Sequence, residues 1–116
     1  MDKRDIGTGA EELAAKYLCE QGLTVICKNY RAKTGEIDLI CKDGDYFVFC
    51  EVKYRKSDEF GNPLYAVDRE KQKKIIKTSI FYLTSNHLSV DTFIRYDVVS
   101  ICGDEIEWLK NAFLAY

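Results

Sequence analysis

Phe47-Val48-Phe49-Cys50-Glu51-Val52-Lys53 is apolar at both parities over its first half and then breaks into a carboxylate and an ammonium. A strand with one buried face alternates apolar and polar residues. A strand that is apolar on both sides is covered twice, which predicts the centre of a sheet with packed layers above and below. Residues i and i+2 of a strand face the same way, so Glu51 and Lys53 project side by side from the end of this buried strand.

Upstream lie two further apolar runs, Leu23 to Tyr30 and Glu36 to Cys41, and Tyr46 to Tyr54 is the third strand of the series. Lys33-Thr34-Gly35 and Lys42-Asp43-Gly44-Asp45 are the turns between them, and Asp-Gly is a strong hairpin signal because glycine accepts the positive φ that tight loops need. A two-residue Asp43-Gly44 loop sets Lys42 opposite Asp45 and Glu36 opposite Glu51, with Asp38 on the same face one diagonal step away. A loop longer by one residue reverses the parity.

Before these strands, Thr8-x-x-Glu11 precedes a pattern that puts Leu13, Ala14, Tyr17 and Leu18 on one helical face, and Gly22 is placed to stop it. This predicts helix A over roughly residues 9 to 21. After Arg55 the apolar pattern ends in a loop up to Val67 that holds Gly61, Asn62 and the sole proline, Pro63. Asp68 caps a second helix, roughly 69 to 85, with Gln72, Ile76, Ile80 and Leu83 at helical spacing. Thr92 to Cys102 reads as a strand, Gly103-Asp104 as a turn and Glu105 to Leu109 as a short strand. The order α-β-β-β-α-β predicts an α/β fold, a mixed sheet flanked by helices.

Converging carboxylates repel one another and lose hydration energy unless a cation holds them. Oxygen ligands suit Mg²⁺, which keeps waters and accepts phosphate oxygens in its remaining positions. A water in such a site is the candidate nucleophile, with Lys53 orienting it or stabilising the pentacovalent state. The bland counterpart is a cross-strand ion-pair network, which spacing alone favours about equally. For Glu11 the bland role is the capping-box acid paired with Thr8, which the local pattern favours; a helix A packed on the sheet instead delivers Glu11 or Glu12 to the metal's outer shell. Lys71, Gln72, Lys73 and Lys74 open the second helix, either as a solvated face or as contacts to phosphate. Tyr30 and Arg31 fit a strand edge as well as a stacking or pairing role.

At 116 residues and 47% hydrophobic, residues 1–116 suit one domain with one core. No apolar run approaches the roughly 20 residues of a bilayer-spanning helix, and Met1-Asp2-Lys3-Arg4-Asp5 leads into no signal-like stretch, so a soluble, cytoplasmic protein is expected. Five cysteines, Cys19, Cys27, Cys41, Cys50 and Cys102, form no C-x-x-C pair and read as structural thiols rather than a zinc site. The single histidine, His87, follows a helical stretch and is given no catalytic role. The net charge of −2 does not advertise a polyanion binder, yet Lys53 to Lys77 carries eight basic residues against four acidic, a local excess of +4.

Gly35-Glu36-Ile37-Asp38-Leu39-Ile40 followed by Phe49-Cys50-Glu51-Val52-Lys53-Tyr54-Arg55 resembles the paired signature of the YraN family of predicted endonucleases. Gly7, Glu11-x-x-Ala14-x-x-Tyr17-Leu18, Asn29-Tyr30-Arg31, Lys71-Gln72, Arg95-Tyr96-Asp97-Val98-Val99 and Asn111-Ala112-Phe113 fall in family order over nearly the whole chain. Ala10, where glycine commonly precedes Glu11, and Cys50, where valine is usual, depart from the pattern without removing a catalytic group. The resemblance implies a restriction-endonuclease-like PD-(D/E)xK fold, with kinship to archaeal Holliday-junction resolvases. It assigns metal and catalytic places to Asp38, Glu51 and Lys53 and the helix A acid to Glu11; Glu36 belongs to the motif.

The expected activity is therefore a Mg²⁺- or Mn²⁺-dependent endonuclease on DNA, including branched or damaged DNA. Asp38 and Glu51 are its expected metal ligands, and Arg55, Lys71, Gln72, Lys73 and Lys74 its expected nucleic-acid contacts. The rivals are a non-catalytic nucleic-acid-binding or scaffold domain with the same fold, and an RNA-processing nuclease. The expected partner is nucleic acid, DNA first, with no membrane, and a homodimer is an allowed assembly.

Overall fold

A computed structural model describes residues 3–55, 67–89 and 91–115, with backbone alone for residues 3–8. In chain order these form α1 (Lys3–Glu20), β1 (Thr24–Ala32), β2 (Gly35–Asp43), β3 (Tyr46–Arg55), α2 (Arg69–Ser85), β4 (Ile94–Cys102) and β5 (Glu105–Phe113). The strands make one mixed sheet in the order β1-β2-β3-β4-β5, antiparallel except for the parallel pair β3 and β4. This is the restriction-endonuclease-like arrangement of a mixed sheet flanked by helices, with β5 running on to Phe113 as a full edge strand rather than a short one. The expected loop after Arg55, with Gly61, Asn62 and Pro63, lies almost wholly outside the described residues.

Helix α1 ends as Gly22 implies. Its φ of 102° lets the Leu23 N–H reach back to the Leu18 carbonyl at 3.0 Å, satisfying an end-of-helix acceptor. The helix begins by Lys3, however, so Thr8 lies inside it and is not an N-cap; the capping box with Glu11 does not form. Helix α2 matches its expected bounds, with the Asp68 carboxylate accepting from the Lys71 N–H at 2.8 Å.

Strand β3 is central, and Val48, Phe49 and Cys50 are all fully buried because the two sheet faces are both covered. Ala10, Ala14, Ala15 and Leu18 of α1 pack over Leu39, Cys41, Val48, Cys50, Val99 and Ile101. On the other side Ile75 and Tyr82 of α2 pack over Ile40, Phe49, Tyr96 and Val98. Of the expected faces, Ala14, Tyr17 and Leu18 of α1 and Ile76 and Leu83 of α2 do meet the cores, but Leu13 and Ile80 are exposed, while Thr78 and Ser79 are buried. Small side chains let a helix backbone lie close to a sheet, and the two hydroxyls are buried without penalty because they are bonded. Thr78 donates to the Lys74 carbonyl at 2.8 Å and meets the Thr34 hydroxyl at 2.8 Å; Ser79 meets the Tyr96 hydroxyl at 2.7 Å.

The β2–β3 hairpin closes through Gly44-Asp45, with Gly44 at φ 58° and Asp43 opposite Tyr46. The expected Asp43-Gly44 loop is thus displaced by one residue along the chain. That moves the pairing by two, so parity is kept, and the ladder ends at Leu39 opposite Cys50, one step short of Asp38 and Glu51.

A second polar node is structural. Asp97, fully buried on β4, accepts from Arg95 through Nε and Nη2, from Trp108 Nε1 and from the Asn111 N–H, each at 2.9 Å. Arg95 also bridges to Asp43 at 3.0 Å, tying the β2–β3 hairpin to β4. Among the described residues no helix is long and apolar enough to cross a membrane.

Candidate active site

The register between β2 and β3 stops at Leu39 opposite Cys50. Beyond that point β2 stays paired with β1 as far as Gly35, and β3 stays paired with β4 as far as Arg55. The sheet therefore forks. Asp38 fills the fork: its Oδ2 accepts the Val52 N–H at 2.8 Å, replacing the carbonyl that a continued ladder would have offered.

Three carboxyls meet there from three elements. Glu51 of β3 faces Asp38 of β2 at hydrogen-bond range, and Glu11 of α1 reaches Asp38 from the other layer. Asn29 of β1, held at φ 54°, hydrogen-bonds the Glu11 side chain. Glu51 is only 5% exposed; burial and then the Asp38 charge push its pKa up to about 7, against the opposing pull of Lys71. Burial likewise raises Asp38, opposed by the Val52 N–H and the Lys71 charge. Glu11 is raised by burial and then by Asp38.

The cation at the fork is Lys71 of α2, whose Nζ lies 2.8 Å from Glu51 Oε1. Burial disfavours its charge, but Glu51 and Asp38 outweigh that and its pKa is raised. Among the described residues no group of three or more His, Cys, Asp or Glu side chains is arranged to hold a metal ion, so a bound ion here would rest on fewer protein ligands.

A cavity of about 360 Å³ opens in front of these groups, lined by Gly35, Glu36, Asp38, Glu51, Lys71 and Lys74 among others. Its walls are set by the docking of the β1–β2 turn on α2. Gly35, at φ 148°, lies so close that a Cβ there would come 3.2 Å from Thr78 Oγ1. Glu36 borders the cavity but its nearest described cation is Arg31, at 3.6 Å on the surface.

Of the residues singled out from sequence, the fold thus brings Glu11, Asp38, Glu51 and Lys71 together, with Lys74 at the rim. Lys53 does not join them: it is exposed, lies opposite Ser100 of β4, and is absent from the cavity wall. Gln72 donates to the Val67 carbonyl at 3.0 Å and Lys73 is exposed beside it. Arg55 ends β3 half-buried, opposite Cys102. Cys41 and Cys50 are buried free thiols whose pKa burial raises, Cys41 to about 12. Sequence reasoning missed Asn29 as a partner of Glu11 and Lys71 as a partner of Glu51. The signal for the second was present, since Lys71 is the residue whose N–H Asp68 caps, so its side chain leaves the first turn of α2 where that turn abuts the sheet.

A family model described as "Uncharacterised protein family UPF0102" matches residues 10–101. The chain is similar to a UPF0102 protein of Aliivibrio fischeri strain MJ11, 47% identical over 116 residues, covering 97% of this chain and 94% of that one. It is also similar to a UPF0102 protein of Lachnoclostridium phytofermentans, 44% identical and covering 100% and 98%. A third, a UPF0102 protein of Coxiella burnetii, is 45% identical over 108 residues, covering 92% and 90%.

Proposed function

The chain belongs to uncharacterised protein family UPF0102, the YraN family, and on that premise we propose that it is a divalent-metal-dependent endonuclease hydrolysing phosphodiester bonds in DNA. One observation carries the reading: Glu51, almost fully buried, faces Asp38 across a fork in the sheet, and Asp38 is in turn approached by Glu11. Removing two like charges from water side by side destabilises a fold unless something in the site recovers the loss. The donors are hard oxygens only, which suits Mg²⁺ or Mn²⁺ rather than a thiophilic metal. Asp38 and Glu51 are the residues that would hold the ion, with Glu11 behind Asp38. When bound, such an ion supplies charge neutralisation at a phosphate oxygen and acidifies water.

The chain's own groups do the rest. Asp38 is oriented by the Val52 N–H, so its second oxygen has a fixed direction. Glu11, made more basic by burial and then by the Asp38 charge, stands behind Asp38 and supports that carboxyl from the α1 side. Lys74 on the cavity wall and exposed Lys73 offer charge to backbone phosphates, and exposed Lys53, two residues on from Glu51 in β3, shares its side of the sheet. In the overall reaction a water oxygen bonds to phosphorus, a phosphorus–oxygen bond to one sugar breaks, and the leaving oxygen receives a proton.

The test is a panel of duplex, branched and single-stranded DNA and RNA substrates with Mg²⁺, Mn²⁺ or chelator. Cleavage is expected only with metal, and Asp38→Asn, which keeps an acceptor for the Val52 N–H, should lose cleavage by at least about a hundredfold while binding persists. Undiminished cleavage by that variant, in a preparation free of other nucleases, refutes the site. Binding without cleavage under every condition favours the non-catalytic binding module.

A further inference from the structure

Glu51 and Lys71 are unequal partners. Glu51 is 5% exposed on a central strand and has nowhere to turn, whereas the Lys71 side chain is 52% exposed on the first turn of a helix. A buried carboxylate needs a cation beside it or a proton on it. Here the nearest cation is an ammonium on a flexible four-carbon stem, anchored only at its backbone by the Asp68 cap.

We propose that Lys71 is a resident counter-ion, holding on Glu51 the place that a divalent cation takes, so that metal entry expels its ammonium toward the mouth of the cavity, where a substrate phosphate arrives. This rests on the reading that Asp38 and Glu51 hold the metal. The exchange is a matter of charge: Glu36, Asp38, Glu51, Asp68 and Glu70 line the cavity against Lys71 and Lys74, Glu11 stands behind Asp38, and Glu36 has a further cation in Arg31. An incoming dication neutralises more than Lys71 does and cannot share Glu51 Oε1 with an ammonium 2.8 Å away without like-charge repulsion. Expelled, Lys71 has Lys74 beside it on the cavity wall one helical turn on, and the two ammoniums then form an anion-binding pair that the metal-free protein lacks. The arrangement makes metal and phosphate binding cooperative: each ligand takes one member of an ion pair that must open.

The consequence for metal affinity has an unusual sign. Removing a positively charged residue from a site ordinarily changes its metal binding by weak long-range repulsion; removing one that occupies the ligand should tighten it by about tenfold or more. Calorimetric titration of Mn²⁺ into the full chain, with Lys71→Met and Lys71→Gln beside the unaltered protein and Lys74→Met as a control for general charge, measures this without any nuclease assay. Tighter binding in both Lys71 variants, with little change in Lys74→Met, is the expected result. So is a larger rise in unfolding temperature on adding Mn²⁺, because the metal-free variants have lost the partner of Glu51. Equal or weaker affinity in the Lys71 variants, with the unaltered protein binding metal, overturns the counter-ion role and leaves the metal site standing. No binding in any of them overturns the metal site itself and this inference with it.

Discussion

At the scale of single residues the molecule holds two buried aspartates that do opposite things. Asp97 spends all its acceptor capacity on Arg95, Trp108 and Asn111, so it is closed to any ligand. Asp38 has one oxygen on the Val52 N–H and otherwise faces the Glu51 carboxyl, the Lys71 ammonium and the repelling charge of Glu36. Substituting Asp97 by Ala removes the acceptor of an indole N–H, a backbone N–H and two guanidinium N–H groups, leaving Arg95 its bridge to Asp43, and should cost about 3–5 kcal/mol of folding stability, read by urea denaturation. A loss below about 1 kcal/mol would show that the node is not needed. Parity with Glu51 singles out Asp38 in the sequence, whereas nothing local marks Asp97 as a structural node. Both aspartates follow an apolar residue in a strand, and what closes Asp97 is Arg95, Trp108 and the bulge that brings the Asn111 N–H to it.

At the scale of elements, close approach decides the shape of the cavity. The β1–β2 turn rests on α2 through Gly35 and the Thr34–Thr78 hydroxyl pair. Gly35→Ala puts a side chain on a φ of 148° that only glycine holds comfortably and pushes it against Thr78, so the turn must lift. We expect a stability loss of roughly 1–3 kcal/mol together with impaired metal binding, because Asp38 lies three residues on along β2. Wild-type melting of the Ala variant would contradict this. Strands and hairpins were legible because Asp-Gly turns and apolar runs are local signals, and so were the bounds of α2. The faces of the helices were legible only in part: Ala14, Leu18, Ile76 and Leu83 meet the cores as expected, but Ala, Ser and Thr elsewhere become core residues only when a sheet lies close and a hydroxyl finds its partner. The acid pair was legible through parity, which survived a loop misplaced by one residue. The Glu51–Lys71 pair depends on a crossover that no local spacing encodes.

At the scale of the whole molecule, the acid fork makes stability depend on pH. Glu51, Asp38 and Glu11 all have pKa values raised in the folded state, from ordinary values of 4.5, 3.8 and 4.5. A raised carboxyl binds its proton more tightly folded than unfolded, so its contribution is fully present below the unfolded value and is lost as pH climbs through the folded one. Metal-free protein should accordingly lose stability between about pH 4.5 and pH 7, the span set by Glu51. Thermal melts in chelator at pH 5 and pH 8 check the sign, and Glu51→Gln should flatten that part of the profile; a steady gain from pH 5 to 8 would contradict it. Charge also sets how an acidic chain meets a polyanion. The +4 stretch from Lys53 to Lys77 places Lys71 and Lys74 at the cavity, so binding should weaken steeply with salt. Replacing Lys73 and Lys74 together should lower affinity about equally for every DNA substrate and reduce the salt slope, since phosphate contacts carry no base information. A sequence-dependent loss would point to base contacts instead.

The fork has one more consequence. Because the Val52 N–H bonds to the Asp38 carboxylate and not to a carbonyl, its proton feels directly whether that carboxylate is ionised, protonated or shared with a cation. A single backbone resonance of an interior strand thus reads out the state of the acid cluster, as a reporter built into the main chain that no label needs to disturb.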